Sequence, residues 1–556
     1  MKMKKLLIGL LVSAMLLSSA ACSGTKEESV GGANKETRTV DGNELDAEQY
    51  INSYLFGDPS TLDSIKLSDS YGTTVLMNIM EPLTRLDEES GENVRVGAGA
   101  ESWESNEDGT VWTFKLRDNK WTDGQPVTAQ DYVYGIAQTV NPESGSPNSY
   151  FLTDIKNAEA IINGDMDISE LGIRAVDEKT LEIELEAPAS YFLAMTDTRA
   201  MLPVRQDLVE KYGEQYGAEA DTIVSNGPFM LESWTHNSEI VLVKNEDYWD
   251  AGNVYLDKVD WKILNDESTI FNSFDNGSID HCETGTSEWI DKFSEKEGVL
   301  EVTYGDPTVR FHLFNTKDEL FQNVYVRKAF MLTFDREDMN ETIYFDTKIP
   351  AYGWVPKSVT TGDLGEYRAQ VDEPIKAMQD DPQELLLKGM EELGLGDDPS
   401  QLTVKINFGD TSQWTRNYGE YLQQRLKGVL GVNIELETEE WGSFQNRTNS
   451  GDYQIGYMQW GSDYNDPMAI LSIIDAIPTS WENQEYNDIL KQAAQELDEK
   501  ARVELYAQAE QILLDEAAVS PVIYMKVIQF KYEYVKNLQE TSFNTMGFKK
   551  VYTSGR

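Results

Sequence analysis

Strand-like and helix-like segments alternate along the second half of the chain, and this alternation constrains the fold more than any other feature. The pattern predicts three strands, Leu402–Phe408, Val432–Leu436 and Tyr453–Trp460. The segments between them, Trp414–Leu430 and Trp441–Asn449, have the apolar spacing of amphipathic helices. Strands joined by helices of this length indicate right-handed crossovers and a largely parallel sheet. The chain is therefore expected to be an α/β protein.

Further segments extend the pattern to the rest of the chain. Trp112–Leu116 alternates apolar and polar residues like a half-buried strand, and Thr128 with Asp131 has the spacing of a capping box that opens a helix. Near the C-terminus, Gln484–Leu514 is predicted as one helical stretch and Val519–Phe530 as a strand. No fixed-period repeat is present. At about 150 residues per domain, the length indicates about three to four domains.

The N-terminus has the features of an export signal. Three lysines within the first five residues precede an apolar run, Leu6–Leu17, and small residues then lead to Cys22. The run is too short to span a membrane comfortably. A single cysteine directly after small residues resembles the lipobox of bacterial lipoproteins. We therefore predict that residues 1–21 are a signal peptide and that Cys22 is acylated; an ordinary cleaved signal with a free cysteine is the alternative.

Residues 22–46 are rich in Gly, Ser, Thr and charged side chains and contain almost no apolar ones. This composition is typical of a flexible linker, so we predict a tether between the lipid anchor and the folded protein. A low-complexity segment without function has the same composition and remains the alternative.

The balance of charges excludes several classes of function. Lys and Arg number 47 against 97 Asp and Glu, for a formal net charge of −50. A field of this sign repels phosphate backbones, so no nucleic-acid partner is expected. Two cysteines cannot form a disulfide framework, and three histidines cannot build a His-rich metal site. The composition suits an exported acidic binding protein or an extracellular hydrolase.

The sequence contains no established catalytic motif: G-x-S-x-G, H-E-x-x-H, the P-loop and G-x-G-x-x-G are all missing. His236, His281 and His312 lack the spacing of metal ligands and are predicted to be structural. Cys282 is predicted to be a small core residue, because its side chain and that of His281 point to opposite faces of a strand. A glycosidase-type carboxylate pair cannot be picked out among so many acids, and a hydrolase stays open as a hypothesis.

Several segments, in order along the chain, share their pattern with one protein family. They are Pro59–Asp63 (PSTLD), Met80–Asp87 (MEPLTRLD), Ala100–Gly135, Ser225–Trp234 (SNGPFMLESW), Lys244–Asp250 (KNEDYWD), Phe314–Glu337 and Met458–Pro467 (MQWGSDYNDP). Together they resemble the family-5 extracellular solute-binding proteins, the peptide-binding subunits of ABC importers. Ala100–Gly135 is the most specific of these segments.

The resemblance implies an α/β, two-lobed periplasmic-binding-protein-like (type II) hinge fold, with an extra subdomain inserted in the first lobe. Lobe one would comprise residues 47–73, 203–309 and 527–556, the insert residues 74–202, and lobe two residues 310–526. Trp103, Trp112 and Trp121 are predicted to build the core of the insert rather than to contact ligand.

A receptor for mixed peptides must bind what all peptides share, which is the backbone and the charged termini. A sheet edge binds the backbone by accepting the peptide as an additional strand. By the resemblance, the ligand-binding residues are Met458, Gln459, Trp460 and Gly461 on one side of the peptide, and Asn52, Ser53 and Tyr54 on the other. Gly461 would allow close approach of the ligand backbone.

Asp463 matches the carboxylate that pairs with the N-terminal ammonium of the ligand in oligopeptide binders, a charge-assisted contact that is short and strong in a closed cleft. Read alone, the sequence Asp-Tyr-Asn-Asp favours an Asx turn; within the matched segments it favours the ammonium role. Three residues before Trp460, where some members have an arginine for the ligand's C-terminal carboxylate, this chain has Tyr457.

The predicted function is the capture of oligopeptides in an interlobe cleft and their delivery to the membrane subunits of an ABC permease. The protein would be a monomer on the extracytoplasmic face of the bacterial cell membrane, held by its lipid anchor. No enzyme activity, cofactor or metal is expected. The alternative is the same fold binding a nickel chelate, an oligosaccharide or a dedicated signalling peptide.

Overall fold

The computed structural model describes residues 38–89, 92–538, 542–543 and 547–556. The predicted signal peptide, Cys22 and most of the predicted tether lie outside the described residues. The chain divides into one unit that ends at Glu44 and a second unit, Leu45–Arg556.

The last part of the predicted tether contains a short element of secondary structure. Thr39–Val40 pairs with Asn43–Glu44 in a small antiparallel hairpin, whose turn residues Asp41 and Gly42 both have positive φ. Asp-Gly is the sequence that such a turn favours. In the second unit, the Asp46 N–H donates to the Thr553 carbonyl at 3.0 Å.

Strands in the described residues, in chain order, are β1 (Thr39–Val40), β2 (Asn43–Glu44), β3 (Tyr50–Leu55), β4 (Thr84–Glu89), β5 (Glu92–Gly97), β6 (Ala100–Ser105), β7 (Val111–Leu116), β8 (Ile173–Asp177), β9 (Thr180–Glu184), β10 (Phe229–Thr235), β11 (Glu239–Lys244), β12 (Lys258–Ile263), β13 (His281–Glu283), β14 (Val299–Phe314), β15 (Ile349–Pro350), β16 (Thr403–Phe408), β17 (Asn433–Thr438), β18 (Ile455–Gly461), β19 (Val519–Tyr532), β20 (Val535–Lys536) and β21 (Tyr552–Thr553).

The α-helices are α1 (Ser70–Ile79), α2 (Ala129–Val140), α3 (Ala158–Ile162), α4 (Phe192–Met195), α5 (Gln206–Tyr212), α6 (Glu267–Asp275), α7 (Ser287–Ser294), α8 (Val324–Thr333), α9 (Arg336–Tyr344), α10 (Pro374–Ala377), α11 (Pro382–Leu393), α12 (Gln413–Leu430), α13 (Trp441–Asn449), α14 (Met468–Leu471), α15 (Gln484–Gln495) and α16 (Glu499–Asp515). Short 3₁₀ turns join several of them.

Three larger sheets organise the second unit. One has the order β10-β11-β12-β3, in which β3 runs parallel to β12. A second, antiparallel sheet has the order β6-β7-β9-β8 and lies within the segment predicted as the insert. The third has the order β13-β19-β14-β18-β16-β17, with β15 beside β19. The third sheet extends across both lobes, because it contains the long strands β14 and β19.

Two long strands, β14 and β19, join the lobes. They pair with each other from Val299 and Tyr532 at one end to Leu313 and Val519 at the other. One end of this ribbon pairs with β13, next to β3, and the other end pairs with β18. The register shifts between Gly305 and Val309, which marks a β-bulge near the middle of the ribbon. The ribbon is therefore the hinge between the two lobes.

The sheet of lobe two is mixed, and the expectation of a largely parallel sheet is wrong. β16 is parallel to β17 and to β18, as the βαβ pattern predicted. However, β18 is antiparallel to β14, and β14 is antiparallel to β19. The difference arises because β14 enters this sheet from lobe one and β19 leaves it toward lobe one, and they pair with each other directly as an antiparallel ribbon.

Of two predictions about helices, the capping box at the start of α2 is confirmed and the single helix near the C-terminus is wrong. In α2, the Asp131 carboxylate accepts the Thr128 N–H at 2.7 Å, as the capping-box pattern predicted. The single helix predicted over Gln484–Leu514 is instead two helices, α15 and α16. The break occurs because Asp498 caps a new helix by accepting the Ala501 N–H at 2.9 Å.

The cores follow the sheets. One apolar cluster fills lobe one together with the insert, and two others cover the opposite faces of the lobe-two sheet. Along β14, Val309 and Phe311 face one of these clusters and Phe314 faces the other. Cys282 is fully buried in a smaller cluster, and this burial raises the pKa of its thiol. It is a core residue, as predicted.

Candidate functional site

Two adjoining cavities lie between the lobes. The smaller, of about 140 Å³, is lined by Asp463, by Arg199 of the insert and by Thr73 and Met77 of α1, among others. The larger, of about 1130 Å³, extends from Asn465 along the hinge ribbon and includes residues of both lobes. Because the two cavities share Leu86 and Asn465 in their walls, they form one cleft. Its size suits a small ligand with several rotatable bonds.

The strand β18 has an unpaired edge and ends at Gly461, two residues before the cavity-lining Asp463. On one side, β14 pairs with β18 over its whole length, from Ile455 to Gly461. On the other side, β16 reaches only as far as Tyr457, because it ends at Phe408. Within the described chain, no strand pairs with Met458–Gly461 on that side. These are the residues for which strand addition was predicted.

Side chains of this segment alternate between two surroundings. The Gln459 side chain is exposed, and its carbonyl oxygen accepts a hydrogen bond from Arg310 Nε at 3.0 Å. Met458 and Trp460 point to the other face and pack, partly buried, against an apolar cluster of lobe two. At Gly461, a Cβ atom would lie 3.0 Å from Thr308 Oγ1, so a larger side chain would crowd β14.

Asp463 follows β18 directly and projects toward the insert. The Tyr150 hydroxyl lies 3.5 Å from its Oδ1. Desolvation by the surrounding atoms raises the pKa of Asp463, while nearby Arg199 and the Tyr150 hydroxyl act in the opposite direction. The guanidinium of Arg199 is positioned by a hydrogen bond from Nε to Asn148 Oδ1 of 2.9 Å.

The alternative Asx-turn role is taken by a different aspartate of the same loop. Asp466 Oδ1 accepts the Met468 N–H at 2.9 Å, whereas the Asp463 carboxylate accepts no backbone hydrogen bond from the described residues. The Asp463 oxygens are therefore not used to stabilise the turn.

Asn52, Ser53 and Tyr54 lie in β3 and do not join this site. The Asn52 N–H donates to Asp280 Oδ2 at 2.6 Å, and the Asn52 carbonyl accepts the Asp280 N–H at 2.8 Å. Ser53 is fully buried, with its hydroxyl 2.8 Å from His281 Nε2. Tyr54 lines a separate cavity of about 330 Å³. Their predicted ligand contacts are therefore not supported by their position.

The helix α1 also lines the Asp463 cavity, through Thr73 and Met77, and the predicted boundary between lobe one and the insert falls within this helix. A role for this helix at the cavity was not predicted from the sequence, although the C-cap residue of the helix is Met80, where the matched segment Met80–Asp87 begins. Of the three tryptophans assigned to the core of the insert, Trp112 and Trp121 are buried as predicted. Trp103 is a correction: it is partly buried and lines the larger cavity, because it lies on β6, an edge strand of its sheet.

Among the residues that the structure covers, no group of three or more His, Cys, Asp or Glu is arranged to hold a metal ion. His281 and His312 are buried, and His236 is half exposed beside Asp58. No helix in the same residues is both long and apolar enough to cross a bilayer.

Comparison with known proteins decides the family. The family model of the bacterial extracellular solute-binding proteins, family 5, matches residues 96–477. The chain belongs to this family. It is 32% identical to the dipeptide-binding protein DppE of Bacillus subtilis, over 94% of this chain and 95% of that protein. It is 29% identical to the oligopeptide-binding protein OppA of the same organism, over 98% of both chains.

Solved structures of family 5 proteins share the fold. The murein tripeptide binding protein MppA of Escherichia coli superposes with a TM-score of 0.75 at 28% identity, over 92% of this chain and 100% of that one. This likeness confirms the predicted two-lobed type II fold. These family 5 relatives are substrate-binding proteins rather than enzymes.

Proposed function

We propose that this protein is the lipid-anchored, extracytoplasmic receptor of a peptide ABC importer. It would capture oligopeptides in the cleft between its lobes and deliver them to the permease. The observation that carries this proposal is the unpaired edge of β18 at Met458–Gly461, which ends beside the Asp463 carboxylate in the wall of the cleft.

The unpaired edge suits a ligand with a regular backbone. Each residue of an extended peptide carries one donor and one acceptor, and a strand edge pairs with both regardless of side chains. Sugars and metal chelates lack this repeating pattern. The relatives support the same ligand class, since their names specify dipeptide, oligopeptide and murein tripeptide binding.

Asp463 suits the N-terminal ammonium of such a peptide. Among the described residues, Tyr150 is the one hydrogen-bond donor to the carboxylate, at the long distance of 3.5 Å, so the carboxylate oxygens are available. An ammonium group would replace the lost hydration and keep the carboxylate ionised. A peptide that begins at Asp463 and continues along Met458–Gly461 would satisfy both elements at once.

Contacts across the cleft favour a closing motion about the hinge. The Ser190 N–H of the insert donates to the Ala494 carbonyl of lobe two at 2.9 Å. The rings of Tyr191 and Tyr464 stack with a centroid separation of 5.6 Å. In the proposal, a bound peptide stabilises these contacts and the permease recognises the closed form.

The proposal keeps the predicted lobe boundaries and the lipid anchor. The boundaries at residues 309/310 and 526/527 fall within β14 and β19, the strands of the hinge ribbon. Acylation at Cys22 would hold the receptor at the membrane, and labelling of the expressed protein with a radioactive fatty acid, compared with Cys22→Ser, tests it. Absence of Cys22-dependent label would refute the anchor alone.

The ligand class is tested by mass spectrometry of small molecules released on denaturation of protein purified from Ser23 onward. A mixture of peptides is expected, as for a broad receptor. A single peptide species would indicate a dedicated signalling or nutrient ligand. Metal or sugar without any peptide would refute the proposal and favour the alternative ligands.

The role of Asp463 is tested by Asp463→Asn, with Asp452→Asn as a matched control on an exposed loop of the same lobe. Loss of a hydrogen-bonded charge contact should weaken binding of a peptide with a free N-terminus by about 10- to 100-fold. Isothermal titration calorimetry measures the affinity, and binding of the N-acetylated peptide should not change. Equal affinities of wild type and Asp463→Asn would contradict the assigned role.

A further inference from the structure

Arg502 is a buried cation in the wall of the larger cavity. It lies in the first turns of α16, its residue is 4% exposed, and it lines the cavity together with Asp466 and residues of the insert. Its surroundings in lobe two are otherwise those of a well-packed core.

The guanidinium of Arg502 lacks the hydrogen bonds to described residues that a buried arginine normally makes. Arginine carries five N–H donors, and a buried arginine normally has most of them satisfied. Arg502 donates no side-chain hydrogen bond to any described residue, and its buried Nε has no partner. Its charge partner is Asp466, with Nη2 3.5 Å from Oδ2, a distance too long for a strong hydrogen bond. Asp466 is held in place by others, since its Oδ1 accepts the Tyr506 hydroxyl at 2.8 Å.

Other buried arginines of the same lobe have most of their hydrogen-bond acceptors supplied by the fold, although Arg368 Nε, like Arg502 Nε, has no partner among the described residues. Arg336 donates from Nε to the Ala351 carbonyl at 2.6 Å and from Nη1 to the Phe334 carbonyl at 2.9 Å. Arg368 donates to Glu510 at 2.5 Å. The fold therefore provides acceptors for guanidinium groups that serve structure alone. Arg502 differs because it lines a cavity and donates no side-chain hydrogen bond to any described residue.

We propose that Arg502 binds a carboxylate of the peptide ligand. A carboxylate matches the planar fork of guanidinium donors and would supply the acceptors that the protein does not. This inference rests on the proposed function and deepens it, by adding an anion-binding position to the cleft. In a chain of net charge −50, a buried cation without hydrogen-bond acceptors is the feature that can offset repulsion of an acidic ligand.

Arg502 is close enough to Asp463 for one short peptide to contact both. Asp466 is the charge partner of Arg502 and follows Asp463 by three residues. The Cα atoms of Asp463 and Asp466 are therefore at most about 11 Å apart. The ligand carboxylate has two chemical sources, the C-terminus of a short peptide and an Asp or Glu side chain. Both present the same group to the guanidinium.

The test uses four peptides and measures affinity by calorimetry with the complete mature protein. Trialanine and trialanine amide differ in the C-terminal carboxylate. The amides of Ala-Glu-Ala and Ala-Gln-Ala differ in a side-chain carboxylate. Wild type should prefer the carboxylate-bearing member of at least one pair by about tenfold or more, and the pair that shows the preference identifies its source.

Arg502→Gln should abolish that preference and leave the affinity for the neutral member within about twofold. Arg502→Lys should keep part of the preference, because the charge remains and the fork is lost. Lys500→Gln is the matched control, since it removes one positive charge from an exposed position of the same helix. It should leave the preference intact.

Two results would overturn the inference while the proposed function stands. The preference for a carboxylate could survive in Arg502→Gln, or Arg502→Gln could weaken all four peptides equally, as expected if Arg502 only neutralises Asp466. The variant Asp466→Asn/Arg502→Gln removes both charges, and equal weakening there as well would assign the pair to structure. Failure of wild type to bind any of the four peptides, together with the absence of any peptide released on denaturation, would refute the proposed function itself.

Discussion

The strands β18 and β3 were both predicted to border the ligand, yet the structure treats their backbones differently. β18 has neighbours on both sides as far as Tyr457 and on one side beyond it. β3 pairs with β12 on one side, and on the other Asn52 exchanges hydrogen bonds with Asp280. A strand can receive a ligand only where its main-chain groups have no partner in the protein. β18 thus has the properties of a binding strand and β3 those of a scaffold.

The largest effect expected from this difference is on stability, through Asp280. This carboxylate is 1% exposed and accepts from the Asn52 N–H at 2.6 Å, the Tyr534 hydroxyl at 2.7 Å and Arg556 Nη2 at 2.5 Å. Asp280→Ala leaves these donors unpaired and should lower the free energy of unfolding by about 3–5 kcal/mol in urea denaturation.

The control for this variant is Asp452→Ala, whose carboxylate is 82% exposed and pairs with Arg447 at 3.2 Å. It should cost less than about 1 kcal/mol. A scaffold role for β3 also requires that folded Asp280→Ala binds peptide with nearly wild-type affinity. Strong loss of affinity in protein that remains folded would contradict it.

The next effect is on the pH dependence of stability. Burial lowers the pKa of His281, the partner of Ser53, to about 4, with a contribution from nearby Lys531. The unfolded chain, with a His pKa near 6.5, binds the proton more readily, so stability is lost as the pH falls from about 6.5 to about 4. The loss from this residue reaches at most about 3 kcal/mol. Urea denaturation at several pH values should show a shallower decline for His281→Gln than for wild type, and equal slopes would exclude the effect.

A smaller effect is expected for the hydroxyl that contacts this histidine. Ser53→Ala removes the hydrogen bond to His281 Nε2 and leaves the imidazole without a side-chain partner, since Nδ1 already has none. Unfolding should become easier by about 1–3 kcal/mol, while peptide affinity stays within twofold. Ser462→Ala is the matched control: its buried hydroxyl has no hydrogen-bond partner in the described part of the chain, so little stability should be lost. Weaker peptide binding by stable Ser53→Ala would show that β3 contacts the ligand after all.

The smallest effect concerns the unpaired edge itself and is measured on the ligand. Alternate N–H groups of an added strand point toward its neighbour. Methylation of single backbone nitrogens in a bound peptide should therefore weaken binding by about fivefold at every second position and very little at the positions between. Calorimetry with a set of such peptides gives the pattern. Uniform losses would argue against strand addition along Met458–Gly461.

Much of this fold could be predicted from the sequence because it depends on local pattern. The helix predicted at Trp441–Asn449 has the same bounds in the structure, since apolar spacing within one element suffices to define it. Mixed pairing in lobe two was missed because β14 and β19 are distant in sequence from the βαβ segment that they join. The split between α15 and α16 depends on a single capping aspartate within a strongly helical stretch.

The candidate site shows the same division. Asp463 and Met458–Gly461 could be selected from a contiguous motif, and their ligand contacts remain predictions. Which groups are unpaired is a property of the tertiary structure, so the sequence offered no means to separate β3 from β18. For the same reason Arg502 could not be selected from the sequence, where it is one arginine of a helix. Its lack of hydrogen-bond acceptors among the described residues becomes evident only in the tertiary structure.

The ribbon of β14 and β19 makes the lobes inseparable as folding units. Each lobe contains half of β14 and half of β19. Cleavage of the polypeptide near Gly305 would therefore leave unpaired strand edges on both fragments. Neither fragment should fold alone, and thermal melting should occur as one cooperative transition despite the two-part architecture. We expect opening of the cleft to twist this continuous β-ribbon near its bulge, so that the two lobes move without breaking the pairing of β14 with β19.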